Sequence, residues 1–106
     1  MAVKDDVRQQ LTQAVTELTN RGFETTDPAE QKQIDQQIIS LNRQIQRLNQ
    51  MKLSEVAAAV SDAAQGLENV VRSARTGPFD QYVERMGTII ARIKLTGEQA
   101  VNPEKG

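Results

Sequence analysis

Apolar residues along this chain recur in alternating steps of four and three, the spacing that sets one stripe along an α-helix. The first run is Val7, Leu11, Ala14 or Val15, and Leu18; the second is Ile34, Ile38, Leu41, Ile45 and Leu48. A third follows at Val56, Val60, Ala63, Leu67, Val70 and Ala74, and a fourth at Phe79, Val83, Met86, Ile90 and Ile93. No stretch shows the strict alternation of a half-buried strand. The pattern predicts an all-α protein.

Breakers separate some of these runs. Arg21-Gly22-Phe23 stops the first helix, with Gly22 suited to a left-handed cap and Phe23 folding back onto apolar surface. Asp27 then fits an N-cap, Pro28 the first helical position, and Glu30 the reciprocal capping-box position. Thr76-Gly77-Pro78 marks a second stop. In an antiparallel hairpin, facing residues have position numbers with a constant sum. Leu18 with Ile34, Leu11 with Leu41, and Val7 with Ile45 share one constant; Val70 with Val83, Leu67 with Met86, and Val60 with Ile93 share another. Both constants centre on turns identified independently. The chain therefore reads as two antiparallel helical hairpins in series, about 4–50 and about 54–96, within a single domain over 1–97. Residues 98–106 are expected to form a flexible polar tail.

The joint between the hairpins reads two ways. Residues 49–55 contain neither Gly nor Pro, which favours one long shared helix over 28–75, about 70 Å in length. The eight-residue step from Leu48 to Val56, with Ser54 as a cap, suits the alternative, a compact four-helix bundle. The long helix is the preferred reading. A rod of that kind would leave its seams unfilled and would self-associate.

Composition narrows the chemistry. The chain has 106 residues, thirteen basic and fourteen acidic, with neither histidine nor cysteine. The commonest general base and the softest metal ligands are thus missing, no Gly-rich loop could cradle a phosphate, and no cofactor or metal site is expected. Ser40, Ser54, Ser61 and Ser73 have no evident activating neighbour. The balanced charge argues against nucleic acid as the main partner, and the longest apolar run, 56–60, is far short of the roughly 20 residues that span a bilayer. The acidic, polar start of the chain lacks the apolar core of a secretion signal, so a soluble cytoplasmic protein is expected.

These exclusions leave contact as the mode of action. The expected function is a non-catalytic helical protein that self-associates, as a dimer or larger, through coiled-coil-like seams and that could also bind a foreign protein. A small immunity or antitoxin-type inhibitor of a partner enzyme is the alternative. A second stripe beside the paired seam, Ala57, Ala64 and Val71 with Tyr82 and Ile89, is the candidate partner-binding face. Arg43, Arg47 and Lys52, in a stretch free of acids, are candidate polar contacts.

Overall fold

The computed structural model describes residues 3–74 and 80–101. They form four helices: α1 (Val3–Glu24), α2 (Pro28–Arg47), α3 (Leu53–Arg72) and α4 (Asp80–Val101). A single 3-10 turn, Leu48–Gln50, follows α2. Helix α1 packs on α2, α3 on α4, α1 on α4 and, more lightly, α2 on α3, which closes a four-helix bundle. The expected Thr76-Gly77-Pro78 turn and the seam residue Phe79 fall in 75–79, outside the described residues.

The core is the predicted seams brought together. Val7, Leu11, Ala14 and Leu18 meet Ile34, Leu41 and Leu48, and beside them lie Val56, Val60, Ala63, Leu67, Val70, Met86, Ile90 and Ile93. Each large side chain of this kind stabilises the fold by about 1.5–3 kcal/mol when fully buried. In α2 the residues Ile34 and Leu41 are wholly buried, whereas Ile38 and Ile45 are only partly so.

The long shared helix does not form. Met51 and Lys52 both adopt extended backbone (φ −82°, ψ 144° and φ −76°, ψ 159°), and the chain reverses there. The longest dimension is 44 Å, well short of a rod of about 70 Å. The physical reason lies in what reversal buries. A continuous helix gains a few backbone hydrogen bonds, each worth about 1 kcal/mol net. Reversal instead lays α1 on α4 and buries Tyr82 and Ile89 as well as the seams. Leu48 and Val56, on either side of the joint, are both fully buried. Local polar groups complete the turn. The Glu55 carboxylate accepts from the Lys52 backbone N–H at 3.1 Å. Lys4 Nζ donates to the Asn49 carbonyl at 3.3 Å, and the Arg8 guanidinium donates to the Asn49 side chain. The new helix therefore starts at Leu53, and Ser54 is not its cap.

Three further expectations change. Helix α1 runs through Gly22 to Glu24, and Phe23 does not fold back: it is 84% exposed. Asp27 caps α2 by accepting from Ala29 N–H at 3.0 Å, with Pro28 at its start as expected, but Glu30 turns inward rather than closing a capping box. Helix α4 continues through Gly97 to Val101 with Ala100 buried, so the tail does not begin at 98. Gly97, one turn beyond Ile93, comes close to Val60: a Cβ there would lie 2.8 Å from its Cγ1. Val83, expected opposite Val70, is 38% exposed. No helix among the described residues is long and apolar enough to cross a membrane.

Inside the α1–α2 hairpin sits a charged pair. Arg21 Nε donates to Glu30 Oε2 at 2.8 Å and its Nη2 to Oε1 at 3.0 Å, with both side chains essentially sealed from water. Thr25 Oγ1 donates to the same carboxylate at 2.7 Å. The hydrogen-bonded carboxylate raises the Arg21 pKa further above its usual range, against the opposing effect of burial. Removing one partner of such a pair strands a buried charge. Glu30→Ala should therefore lower unfolding free energy by about 3–5 kcal/mol in urea titrations, and Arg21→Met combined with Glu30→Leu should recover most of that loss. A loss below about 1 kcal/mol in the single variant would show that the pair does not hold the hairpin.

Candidate functional site

The expected partner-binding stripe divides between two environments. The flank of α3 that carries Ala57, Ala64 and Val71 lies toward α4, while Tyr82 and Ile89 sit on the other flank of α4, toward α1. Tyr82 and Ile89 are buried in the core, as is Ala64; Ala57 and Val71 are half-buried. Tyr82 and Ile89 therefore do not form an exposed face, because α1 covers them. The clamps that hold α1 there are specific. Arg21 Cζ lies 5.1 Å from the Tyr82 ring centroid, Gln10 Nε2 donates to Thr96 Oγ1 at 2.9 Å, and Arg85 pairs with Glu17 at 3.9 Å.

The Tyr82 phenol has an unusual position. Its Oη is buried without a hydrogen-bond partner among the described residues. Burial above all, reinforced by the charge of Glu30, pushes its pKa up to about 12, with the Arg21 charge opposing.

Arg43, Arg47 and Lys52 are all exposed, and none makes a side-chain ion pair among the described residues. Arg43 and Arg47 share the outer face of α2, and Lys52 stands at the reversal. Their charged ends lie in water, and none of the three borders the concavities described below.

Three open concavities lie among the described residues, the smallest of them, about 440 Å³, beside Ile89 and Thr12 between α1 and α4; the two larger ones bear on the site. The first, about 710 Å³, runs along the outer side of the α3–α4 pair. Ala57, Val60, Ala64 and Gly97 form its apolar floor, and Glu68, Arg72, Lys94 and Glu98 stand among its polar walls. Lys94 bonds to Glu68 across it and holds that carboxyl below the usual carboxylate range. Two residues of the predicted stripe, Ala57 and Ala64, thus line a groove after all. Leu53, exposed at the start of α3, and half-buried Val71 extend the same flank.

The second concavity, about 810 Å³, lies between the end of α1 and the start of α4. Glu17, Phe23, Glu24, Asp80, Tyr82 and Arg85 are among the residues around it. Of these residues, the sequence reading selected only Tyr82 as a candidate contact. One signal was present. The α1 seam steps on from Leu18 by three to Arg21, not to an apolar residue, so Phe23 must point outward. Among the described residues no group of three carboxylates comes together in a way that could hold a metal ion.

Compared with family models, curated proteins and solved structures, the chain matches none.

Two outcomes follow from the burial of the α1–α4 contact. Ile89→Glu should unfold or strongly destabilise the protein, by about 3 kcal/mol or more, as thermal melts would register. Tyr82→Phe should keep or slightly raise stability at neutral pH, since it removes an unpaired buried hydroxyl. Because the folded-state phenol pKa is raised, its contribution is fully present below pH 10 and is lost as pH climbs toward about 12. The wild type should lose more stability than Tyr82→Phe across that alkaline window. Equal losses in urea titrations at pH 9 and 11.5 would mean that the phenol ionises as readily in the folded chain as in the unfolded one.

Proposed function

We propose that this is a cytoplasmic, non-catalytic contact protein that self-associates, and that the outer α3–α4 groove is its self-contact. The single observation that carries this reading is the anatomy of the groove. A floor of small apolar groups lies between walls that carry both signs of charge, Glu68 and Glu98 against Arg72 and Lys94. An apolar centre inside a polar rim is how protein interfaces are built. The mixed rim favours a second copy as the occupant. In a twofold contact the same patch faces itself reversed, so acids on one copy can meet bases on the other. A rim of one sign would repel its own copy.

This places self-association on a different surface from the seams, which are filled within one chain. The absence of His and Cys and the dispersal of the serines remain the grounds for expecting no covalent chemistry.

The test is mass in solution. Light scattering at micromolar concentration should give about twice the 11.8 kDa of one chain. Ala57→Glu with Ser61→Glu, both set along the groove, should shift the protein to monomer with unchanged helicity by circular dichroism. A wild type of 11.8 kDa at every concentration, or a dimer that persists in the double variant, overturns the proposal.

A further inference from the structure

The cleft between α1 and α4 lies at the opposite end of α4 from the self-contact groove and on its other flank. Lys94 and Gly97 of the groove face α3, whereas Tyr82 and Arg85 of the cleft face α1. Occupation of one surface leaves the other open.

We propose that this cleft docks an arginine-bearing segment of a partner protein, with Phe23 as its apolar anchor and Glu17, Glu24 and Asp80 as its charge complement. Three kinds of observation support the assignment. The first is the aromatic side chain. Phe23 stands 84% exposed at the mouth, in a chain that has only three aromatic residues. An exposed ring offers both contact area and a face for a guanidinium.

The second is charge. Three carboxylates border the cleft, while Glu30 takes up the charge of Arg21 through two hydrogen bonds. Arg85 remains, held loosely to Glu17 at 3.9 Å and 61% exposed along its side chain. Among the described residues the carboxylates around the cleft outnumber the cations, yet they do not converge on a metal-ion site. Dispersed carboxylates suit an extended cation with several donors, and the guanidinium is planar with five.

The third observation is independent of surface charge. Tyr82, only 6% exposed, borders the same cleft with its Oη buried and without a hydrogen-bond partner among the described residues. That oxygen is sealed from solvent, so an incoming N–H reaches it only by parting the side chains that cover it, and would there satisfy an unused acceptor. The chemistry therefore asks for a donor-rich cation attached to apolar contact area. A protein segment that pairs arginine with a leucine-like residue supplies both.

The chain offers a clean reporter, because it has no tryptophan and no histidine and Tyr82 is its sole tyrosine. The probe is a decapeptide alternating arginine and leucine, with a counterpart in which glutamate replaces arginine as control. Both are titrated into the full chain while Tyr82 fluorescence and the aromatic proton resonances are followed. Saturable binding of the arginine peptide, with shifts at Phe23 and Tyr82 and none from the control, is the expected result. Phe23→Ala, and separately Glu24→Lys with Asp80→Lys, should each weaken it at least tenfold. These positions are exposed, so circular dichroism should stay unchanged. The monomeric groove variant, Ala57→Glu with Ser61→Glu, should bind the peptide as well as the wild type does, which separates this proposal from self-association. No saturation up to millimolar peptide, equal binding of the control, or binding indifferent to both sets of cleft substitutions overturns it. So does spermine displacing the peptide at equal charge concentration, which would make the cleft a polyamine site.

Discussion

Everything in this architecture depends on two extended residues. Met51 and Lys52 turn what could be a single helix into a reversal, and the reversal makes two hairpins into one bundle. Neither residue is a helix breaker. The turn is held from outside itself, by Leu48 and Val56 buried on either side and by Lys4 and Arg8 reaching across to Asn49. Local preference favours continuing the helix; tertiary burial overrules it, because the helical alternative leaves the α1–α4 contact in water. Several buried side chains at about 1.5–3 kcal/mol each outweigh the handful of backbone bonds forgone.

That balance explains what could be read in the sequence and what could not. The 4-3 spacing located the four apolar seams, and Asp27 with Pro28 located the start of α2, because these signals are local. The eight-residue step from Leu48 to Val56 was the visible trace of the reversal. It lost to the lack of Gly or Pro, an argument that weighed backbone preference above burial. The stripe of Tyr82 and Ile89 was correctly singled out as apolar beyond the needs of its own hairpin. Its cover came from α1, a contact that connects residues more than sixty positions apart and leaves no periodic signature. The close approach of α4 to α3 near Gly97 had no periodic signature either. The small size of Gly97 lets the backbone approach Val60 closely.

The buried ion pair has a similar logic. Arg21 and Glu30 occupy the seam positions next to the turn, where an apolar pair would have served stability as well or better. The geometry here is bidentate, with Thr25 satisfying the carboxylate further and the Tyr82 ring lying over the guanidinium. An apolar seam tolerates sliding by one helical turn, since a leucine fits nearly any neighbouring hole. A fork of two N–H groups on two oxygens tolerates far less. The pair is therefore suited to fixing the register of the first hairpin, and through Tyr82 it ties that hairpin to α4.

With the seams spent on the core, what the bundle presents to its surroundings comes from residues outside the 4-3 pattern. Phe23 lies off the seam of α1, and Ala57 and Ala64 lie at its edge on α3. A patterned sequence can specify a fold while saying little about such positions, because a helix accepts almost any residue on its outer face. Their meaning comes only from what the fold places beside them. Phe23 acquires Glu24 from its own helix, and Asp80 and Tyr82 from a helix far along the chain. Ala57 and Ala64 acquire Lys94 and Glu98 in the same way. The α3–α4 groove lies within the second hairpin, whereas the α1–α4 cleft is a product of the reversal. If Met51 and Lys52 were helical, α1 would be carried away from α4, and the cleft that joins Phe23 to Tyr82 would not exist.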